Sequence, residues 1–268
     1  MTRLAGVFDR AHRENRAAFI AYLTAGDPSP DATVGLARAL ERSGADILEL
    51  GVPFSDPIAD GPVLQRAASR ALAAGTTLEA VFSIARRIRE ETRLALILFS
   101  YLNPIARLGV ARAAREARLA GFDGALLTDL PPEEAPPIHP AFRHAGLDTI
   151  FLVSPTSTLL RMNAAVRLSS GFLYVVSRAG TTGARARLPK DLPETISRAR
   201  RAAGSLPVAI GFGISTAETA RQAARLADGV VVGSALVRAA EEAGERREQA
   251  VETLARGLAR ACRRTTAR

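Results

Sequence analysis

Two acidic side chains, Glu49 and Asp60, stand at the ends of a segment that could carry out proton transfer. Glu49 lies inside the apolar run of residues 47–50, where a buried strand would normally hold only apolar side chains. Burial raises the pKa of a glutamate above its ordinary value of about 4.3, toward the range useful for a general acid or base. Asp60 follows in a turn rich in glycine and proline. The pair therefore predicts acid–base chemistry at the end of a strand.

A purely structural interpretation stays open for both carboxylates. Asp60 could cap a helix that begins at Pro62, because aspartate is a favoured N-cap residue. Glu49 could pair with a buried arginine, since carboxylates with shifted pKa values also occur in structural ion pairs.

Three glycine-bearing turns, at residues 180–183, 211–215 and 233–235, predict a phosphate site. Glycines let backbone N–H groups approach an anion closely, and Ser234 opens a helix whose positive end would face that anion. One such turn is weak evidence because glycine also ends strands. Three turns after the last three predicted strands favour a phosphate cradle.

Short apolar runs typical of strands alternate with longer helical patterns along the chain. The predicted strands cover residues 19–23, 47–50, 94–99, 125–128, 149–153, 172–176, 207–210 and 229–232. The clearest predicted helices cover residues 31–42, 78–91, 110–120, 158–168, 191–203 and 216–226, with a last helix around residues 251–259. Eight strand-then-helix units predict an α/β fold, a (β/α)8 TIM barrel, with an open doubly wound sheet as the alternative.

We expect this barrel to be a single domain over residues 1–268, with its core at about residues 17–262. Residues 1–16 place Leu4, Val7, Phe8 and Ala11 at helical spacing, which predicts a capping helix and does not resemble a signal peptide. The active site of such a barrel lies at the carboxyl ends of its strands. Residues that fall just after a predicted strand are Asp27, Asp60, Asn103, Asp129, Thr182, Gly213 and Ser234.

The composition disfavours several classes of function. A net charge of +9 invites nucleic-acid binding, but the arginines are spread along the helices and no aromatic platform lies among them. The three histidines show no metal-ligand spacing, and the single cysteine, Cys262, fits a reducing cytoplasm. The longest apolar run, residues 94–99, is too short to span a bilayer. We expect a cytoplasmic protein that binds no metal, nucleic acid or membrane.

Several separated segments resemble those of the tryptophan synthase alpha subunit family. The segment ELGVPFSDPIADGP, residues 49–62, carries both carboxylates and is similar to the signature of that family. Further similar segments follow in the family's order between about residues 19 and 237: YLTAGDP (22–28), YLNPI (101–105), DLPPEE (129–134), SRAGTTG (177–183) and GFGIS (211–215). A match at several separated motifs is far more specific than a match at one.

The resemblance implies retro-aldol cleavage of indole-3-glycerol phosphate to indole and glyceraldehyde 3-phosphate. It implies Glu49 as the general acid and base of both proton transfers. It implies Asp60 as the carboxylate that stabilises positive charge at the indole nitrogen. The implied substrate-binding residues are Tyr22, Tyr174, Thr182, Gly183, Phe212, Gly213, Gly233 and Ser234, with Thr182 on a lid and the glycines and Ser234 at the phosphate.

The resemblance also implies a partner, a pyridoxal-phosphate-bearing beta subunit that receives the indole and makes L-tryptophan within an α2β2 heterotetramer. Asp56, Pro57 and Asn103 match the family's interface with that subunit. The chain itself is expected to need no cofactor. Two alternatives are a stand-alone indole-releasing lyase and a non-catalytic subunit that only activates its partner, although the intact carboxylates and phosphate turns argue against the second.

Three features depart from the family pattern. The lid reads Gly-Thr-Thr-Gly where a valine more often precedes the matching threonine, and Phe99 stands where a slimmer aliphatic residue is usual. Pro136, Pro137 and Pro140 predict that the helix after Glu133 is short or broken.

Overall fold

Eight parallel strands form a closed barrel in which each strand pairs with its neighbour in sequence and β8 pairs with β1. The computed structural model describes residues 2–177, 188–211 and 213–264. The predicted TIM barrel is confirmed, the open doubly wound sheet is wrong, and each strand lies within one residue of its predicted ends. The strands are β1 (Ala18–Thr24), β2 (Ile47–Gly51), β3 (Ala95–Ser100), β4 (Gly124–Leu127), β5 (Asp148–Val153), β6 (Leu173–Val176), β7 (Val208–Gly211) and β8 (Gly229–Val232).

Helices surround the barrel and cover its outer face. Over the described residues they are α1 (Arg3–Arg13), α2 (Pro30–Arg42), α3 (Pro62–Ala73), α4 (Leu78–Glu91), α5 (Leu102–Leu108), α6 (Val110–Leu119), α7 (His139–His144), α8 (Leu159–Leu168), α9 (Leu192–Ala203), α10 (Ala217–Leu226), α11 (Ser234–Ala243) and α12 (Arg247–Ala261). The helix after Glu133 is short, as its prolines predict: α7 begins at His139 with Pro140 in its first turn. Within the ranges that the structure describes, no helix is both long enough and apolar enough to cross a membrane.

The period of two along each strand sorts side chains between two cores. Leu48 and Leu50 of β2 point outward and join the shell between strands and helices. Ile47 of the same strand joins Ile20, Ile97 and Leu126 inside the barrel. Glu49 alternates with Leu48 and Leu50 and therefore points into the barrel, above the layer that contains Ile47.

The helix α1 closes the amino-terminal end of the barrel. Thr2 caps it by accepting the N–H of Ala5, and its apolar face inserts Leu4, which is fully buried, among the strand starts. A β-carbon placed on Gly124 or Gly171 would lie 3.0 Å from Leu4 Cδ1. Glycine at these two positions therefore makes room for the capping helix, and the capping role predicted for residues 1–16 is confirmed.

A repeated hydrogen bond ties the strands together in pairs at this same end. Just before each even-numbered strand, a side-chain oxygen accepts a backbone N–H from the preceding odd-numbered strand. The four pairs are Asp46 with Phe19, Asp123 with Leu96, Ser170 with Thr149 and Asp228 with Val208, at 2.9, 2.9, 3.1 and 3.0 Å. Arg16, Arg89 and Arg200 balance the charges of the three aspartates. We call these four side chains the strand-start acceptors.

Candidate active site

Glu49 is a buried carboxylate at the opposite, carboxyl end of the barrel. Its side chain is 1% exposed, and burial raises its pKa to about 8. Its Oε1 atom has no hydrogen-bond partner among the described residues. No arginine among those residues forms an ion pair with the Glu49 carboxyl group. The ion-pair interpretation of Glu49 finds no support, and a buried acid with one unpaired oxygen is poised to exchange its proton with a ligand.

Asp60 lies in the loop between β2 and α3 and is buried. Burial raises its pKa to about 6, although a hydrogen bond from Tyr101 acts in the opposite direction. The helix α3 begins at Pro62 with Gly61 as its N-cap and has no side-chain capping bond. The cap interpretation of Asp60 is therefore wrong. The loop is held instead through the backbone carbonyl of Asp60, which accepts a 2.8 Å bond from Gln65 Nε2.

Tyr101 is a site residue that the sequence reasoning did not assign. Its hydroxyl accepts the N–H of Ala59 at 3.1 Å, and it lies close enough to the carboxylate of Asp60 for each group to shift the pKa of the other. Its ring packs against Phe54, with ring centroids 5.3 Å apart. One tyrosine thus holds the backbone of the Asp60 loop and stands beside the Asp60 carboxylate. Its position directly after β3, in the YLNPI motif, was the signal that could have identified it.

Tyr22 and Tyr174 both lie close to Glu49. Tyr22 is the β-ladder partner of Glu49, and Tyr174 lies close enough for the charge of Glu49 to add to the burial that raises the pKa of the phenol. Each hydroxyl lies over a glycine, since a β-carbon would come within 2.2 Å of Tyr22 Oη at Gly51 and within 2.0 Å of Tyr174 Oη at Gly211. Glycine at these strand ends therefore gives the phenols their space.

Phe99 packs edge-on against Tyr22, with ring centroids 5.1 Å apart and the planes at 77°. Both rings are almost fully buried. The bulky residue that departs from the family pattern thus stands beside Tyr22 inside the barrel, and the two rings form one wall of the space above Glu49.

The residues predicted to bind phosphate lie partly within the described chain. Gly233 is the N-cap of α11, and Ser234 is its buried first residue. Gly233 lies against Tyr22, because a β-carbon there would be 3.3 Å from Tyr22 Cβ. Gly213 has a φ of 82°, a left-handed conformation that favours glycine. Thr182, Gly183 and Phe212 lie outside the residues that the structure describes.

The residues predicted to meet a partner lie on two neighbouring segments, Asp56 and Pro57 in the β2–α3 loop and Asn103 in α5. Asp56 is exposed at the loop tip, where Ser55 Oγ donates to its carboxylate at 2.6 Å, and Pro57 follows it. Ile58 is 77% exposed. Asn103 lines a groove of about 510 Å³ together with Pro53, Phe54, Leu72 and Leu108. The groove is thus bordered by the loop that carries Asp60.

This arrangement sets two carboxyl groups with different proton affinities into one barrel mouth. Between about pH 6 and pH 8, Glu49 holds its proton while Asp60 is ionised. An acid and an anion kept apart in this way can protonate one atom of a ligand and balance charge at another. Over the described ranges, no group of three or more histidine, cysteine, aspartate or glutamate side chains could hold a metal ion.

Comparison with known proteins gives one consistent result. The sequence pattern of the family described as "Tryptophan synthase alpha chain" matches residues 8–265. The tryptophan synthase alpha chain of Solibacter usitatus is 54% identical over 245 residues, covering 91% of this chain and 91% of that protein. The corresponding chain of Opitutus terrae is 48% identical over 242 residues, covering 90% and 91%.

Solved structures agree with the sequence relatives. Tryptophan synthase of Mycobacterium tuberculosis matches with a TM-score of 0.90 at 39% identity, covering 98% of this chain and 99% of that one. The tryptophan synthase alpha chain of Legionella pneumophila matches with a TM-score of 0.88 at 38% identity, covering 98% and 97%. With a family pattern and relatives that span nearly all of its length, the chain belongs to the tryptophan synthase alpha chain family.

Proposed function

We propose that this protein cleaves indole-3-glycerol phosphate to indole and glyceraldehyde 3-phosphate, as a carbon–carbon lyase. The observation that carries the proposal is the buried Glu49, which lacks a hydrogen-bond partner at Oε1 among the described residues and keeps its proton up to about pH 8. Retro-aldol cleavage needs such a group, because carbon 3 of the indole ring must gain a proton before the bond to the glycerol chain can break.

Glu49 serves in both proton transfers. Its carboxylic acid gives a proton to carbon 3 of the indole ring. The bond from carbon 3 to the glycerol chain then breaks, and its electron pair restores the aromatic ring. The hydroxyl on the adjoining glycerol carbon passes its proton to the carboxylate of Glu49 and becomes the aldehyde carbonyl. The side chain thus returns to its acid form, which is consistent with a pKa of about 8.

Asp60 supplies the negative charge. Protonation of carbon 3 leaves positive charge on the ring nitrogen, and an ionised carboxylate in a buried site stabilises that charge strongly. The hydroxyl of Tyr101 beside it favours the ionised form of Asp60. Tyr22 and Tyr174 flank the aromatic ring, and Phe99 closes the pocket beside Tyr22.

The phosphate lies at the amino terminus of α11, held by backbone N–H groups of Gly233 and Ser234 with Gly213 nearby. The positive end of a helix dipole and its unpaired N–H groups favour an anion there. The family resemblance assigns Gly183 to the same cradle, Phe212 to the substrate wall and Thr182 to the lid, and all three lie outside the residues that the structure describes.

The partner is a beta subunit that carries pyridoxal phosphate and converts the indole to L-tryptophan in a cytoplasmic α2β2 complex. This chain binds no cofactor itself. The groove beside Phe54 and Asn103, with the exposed Asp56 and Pro57, is the surface for that subunit. Phe54 lines the groove and also packs on Tyr101, so a partner seated in the groove would press on the residue that grips Asp60.

An assay of indole release from indole-3-glycerol phosphate tests the proposal. Glu49→Gln should lower kcat by about 10²–10⁴-fold with little change in substrate affinity, since the amide keeps the shape but cannot exchange a proton. Asp60→Asn should be similarly disabling. Near-normal turnover in the Glu49 variant would remove this residue from the reaction, and an inactive wild-type protein with and without a beta subunit would leave only the non-catalytic activating role.

The stand-alone lyase is the second candidate, and it would share every catalytic residue. The exposed Ile58 and the groove lined by Leu72 and Leu108 favour the partnered form, since exposed apolar side chains beside a groove are typical of a protein interface. Measurement of the rate with and without a beta subunit separates the two: a stand-alone enzyme would show no acceleration.

A further inference from the structure

We propose that Arg70 is a positioning residue. It fixes α3, the helix that follows Asp60, against α11, the helix that begins at the proposed phosphate site. The proposal rests on the proposed function. Arg70 lies on α3, the helix that starts two residues after Asp60, and its guanidinium joins two carboxylates from separate parts of the rim.

The first carboxylate belongs to the loop after β1. Arg70 makes a bidentate pair with Asp27, with Nε to Oδ1 and Nη2 to Oδ2 both at 2.8 Å. The side chain of Asp27 is only 10% exposed, so the carboxylate of this pair is shielded from water. The loop also contacts the far end of α3, because a β-carbon on Gly26 would lie 2.0 Å from Thr76 Oγ1.

The second carboxylate belongs to α11. Glu241 accepts from Arg70 Nη1 at 2.6 Å, and it also receives two bonds from Arg66, at 2.9 and 2.7 Å. We call Asp27, Arg70, Glu241 and Arg66 the rim clasp. Its charges alternate, and Arg70 is the member that contacts both acids.

The rim clasp connects two catalytic subsites through rigid elements. Ser234 starts α11 at the proposed phosphate site, and Glu241 lies two turns further along that helix. Asp60 immediately precedes the N-cap of α3, and Arg70 lies about two and a half turns beyond that N-cap. A planar guanidinium held at both edges fixes distance and angle together. The clasp therefore sets the position of Asp60 relative to a phosphate held at α11, and so to the indole nitrogen of a bound substrate.

A structural role alone would give a different result from a positioning role, and a matched control distinguishes them. Arg89 makes a comparable ion pair with Asp123, which is 9% exposed, at the opposite end of the barrel. We compare Arg70→Met with Arg89→Met. Both should lower the melting temperature. Only Arg70→Met should lower kcat, by about 10-fold or more, because misplacement of a catalytic group by about 1 Å can cost 10²-fold.

Comparison of kcat with the inhibition constant of inorganic phosphate shows whether Arg70→Met changes catalysis or phosphate binding. We expect the inhibition constant of inorganic phosphate to stay within about twofold in Arg70→Met, since the N–H groups of α11 are unchanged. Arg70→Lys keeps the positive charge but lacks the planar guanidinium that binds two carboxylates at once. Its kcat should therefore lie between those of Arg70→Met and the wild type. Asp27→Asn combined with Arg70→Met should cost no more than Arg70→Met alone, because both changes break one unit. An unchanged kcat in Arg70→Met, or an equal loss in Arg89→Met, would overturn the proposal.

A readout without turnover separates this proposal from the proposed function. Inorganic phosphate should slow amide hydrogen exchange in the first turn of α11 and also at Gln65, whose N–H bonds to the carbonyl of Gly61 at the start of α3. In Arg70→Met only the α11 amides should respond. Equal protection of Gln65 in both proteins would refute the clasp even if cleavage is confirmed. Absence of indole release in the wild type would refute the enzyme assignment while leaving the exchange result to decide on the clasp.

Discussion

Glu49 carries a proton in the folded protein at pH values where a free glutamate has lost it, and this has a consequence for stability. Below its ordinary pKa of 4.5 the group is protonated in the folded and the unfolded chain, and its burial costs little. Between pH 4.5 and about 8 only the unfolded chain ionises, which favours unfolding. Above pH 8 Glu49 ionises in the folded form too, and the free energy of unfolding stops falling.

We therefore expect Glu49→Gln to be more stable than the wild type at pH 8 but not at pH 4.5. The gain should reach about 3 to 5 kcal/mol, since each pKa unit corresponds to about 1.4 kcal/mol. Urea unfolding of both proteins across this pH range gives the measurement. A stability difference that does not change with pH would mean that Glu49 is ionised, or paired, in the folded state.

Tyr101 offers a second test at the level of one hydroxyl group. The Tyr101 hydroxyl lowers the pKa of Asp60, against the burial that raises it to about 6. In Tyr101→Phe the pKa of Asp60 should rise, so the acidic limb of the pH dependence of kcat/KM should move to higher pH. The loss of activity should be larger at pH 6 than at pH 7.5. An acidic limb that stays in place would show that another group controls it.

The loop from β2 to α3 is the element on which partner binding and catalysis meet. Asp56 is exposed at its tip, and within the described chain its side chain bonds only to that of its neighbour Ser55, so it contributes little to the fold. We expect Asp56→Ala to weaken activation by a beta subunit more than it weakens basal cleavage. Rates measured with and without saturating beta subunit give the two effects. An equal loss in both would show that the loop acts locally and that no coupling passes through Asp56.

Elements were predicted well from the sequence because their signals are local. The alternation around Glu49 identified β2 and its inward face, and the three prolines near His139 predicted the short α7. The role of Asp60 could not be decided in this way. The structure shows no capping bond from its side chain to α3 and places its carboxylate beside Tyr101, a residue brought next to it only by the closed barrel.

Contacts between distant segments escaped prediction for the same reason. Nothing in the sequence near Arg70 indicates that it will bridge Asp27 and Glu241, because helix arginines are frequent in this chain and most face solvent. The pairing becomes visible only when strand order places β1, α3 and α11 side by side.

The whole molecule divides its two ends between stability and chemistry. The amino-terminal end is filled by α1 and its carboxylates are balanced by arginines, whereas the carboxyl end keeps the buried Glu49 without an arginine partner in the described chain. Leu4→Ala should therefore destabilise the protein by about 2 to 5 kcal/mol, the usual cost of a cavity in a core. Its kcat at a temperature well below unfolding should stay unchanged.

Leu160→Ala is the control for this change, because Leu160 is 77% exposed and its truncation should alter stability by less than about 0.5 kcal/mol. Denaturant unfolding and indole release of both variants give the comparison. A lowered kcat in Leu4→Ala under folded conditions would show that the two ends of the barrel are not independent.

The strand-start acceptors also suggest where this chain could be cut. Each joins an odd strand to the even strand that follows it. These bonds therefore connect the two strands within each of four pairs, and none of them connects one pair to the next. If the chain is cut between β4 and α7, both partners of each of the four bonds stay on the same fragment. A cut between β3 and β4 places Leu96 and Asp123, the partners of one bond, on different fragments. Two halves separated after β4 should therefore reassemble into a barrel more readily than fragments divided inside a pair. In this sense the fold is modular, built of four strand pairs, and the oxygen-bearing residue ahead of every second strand lies at the centre of each module.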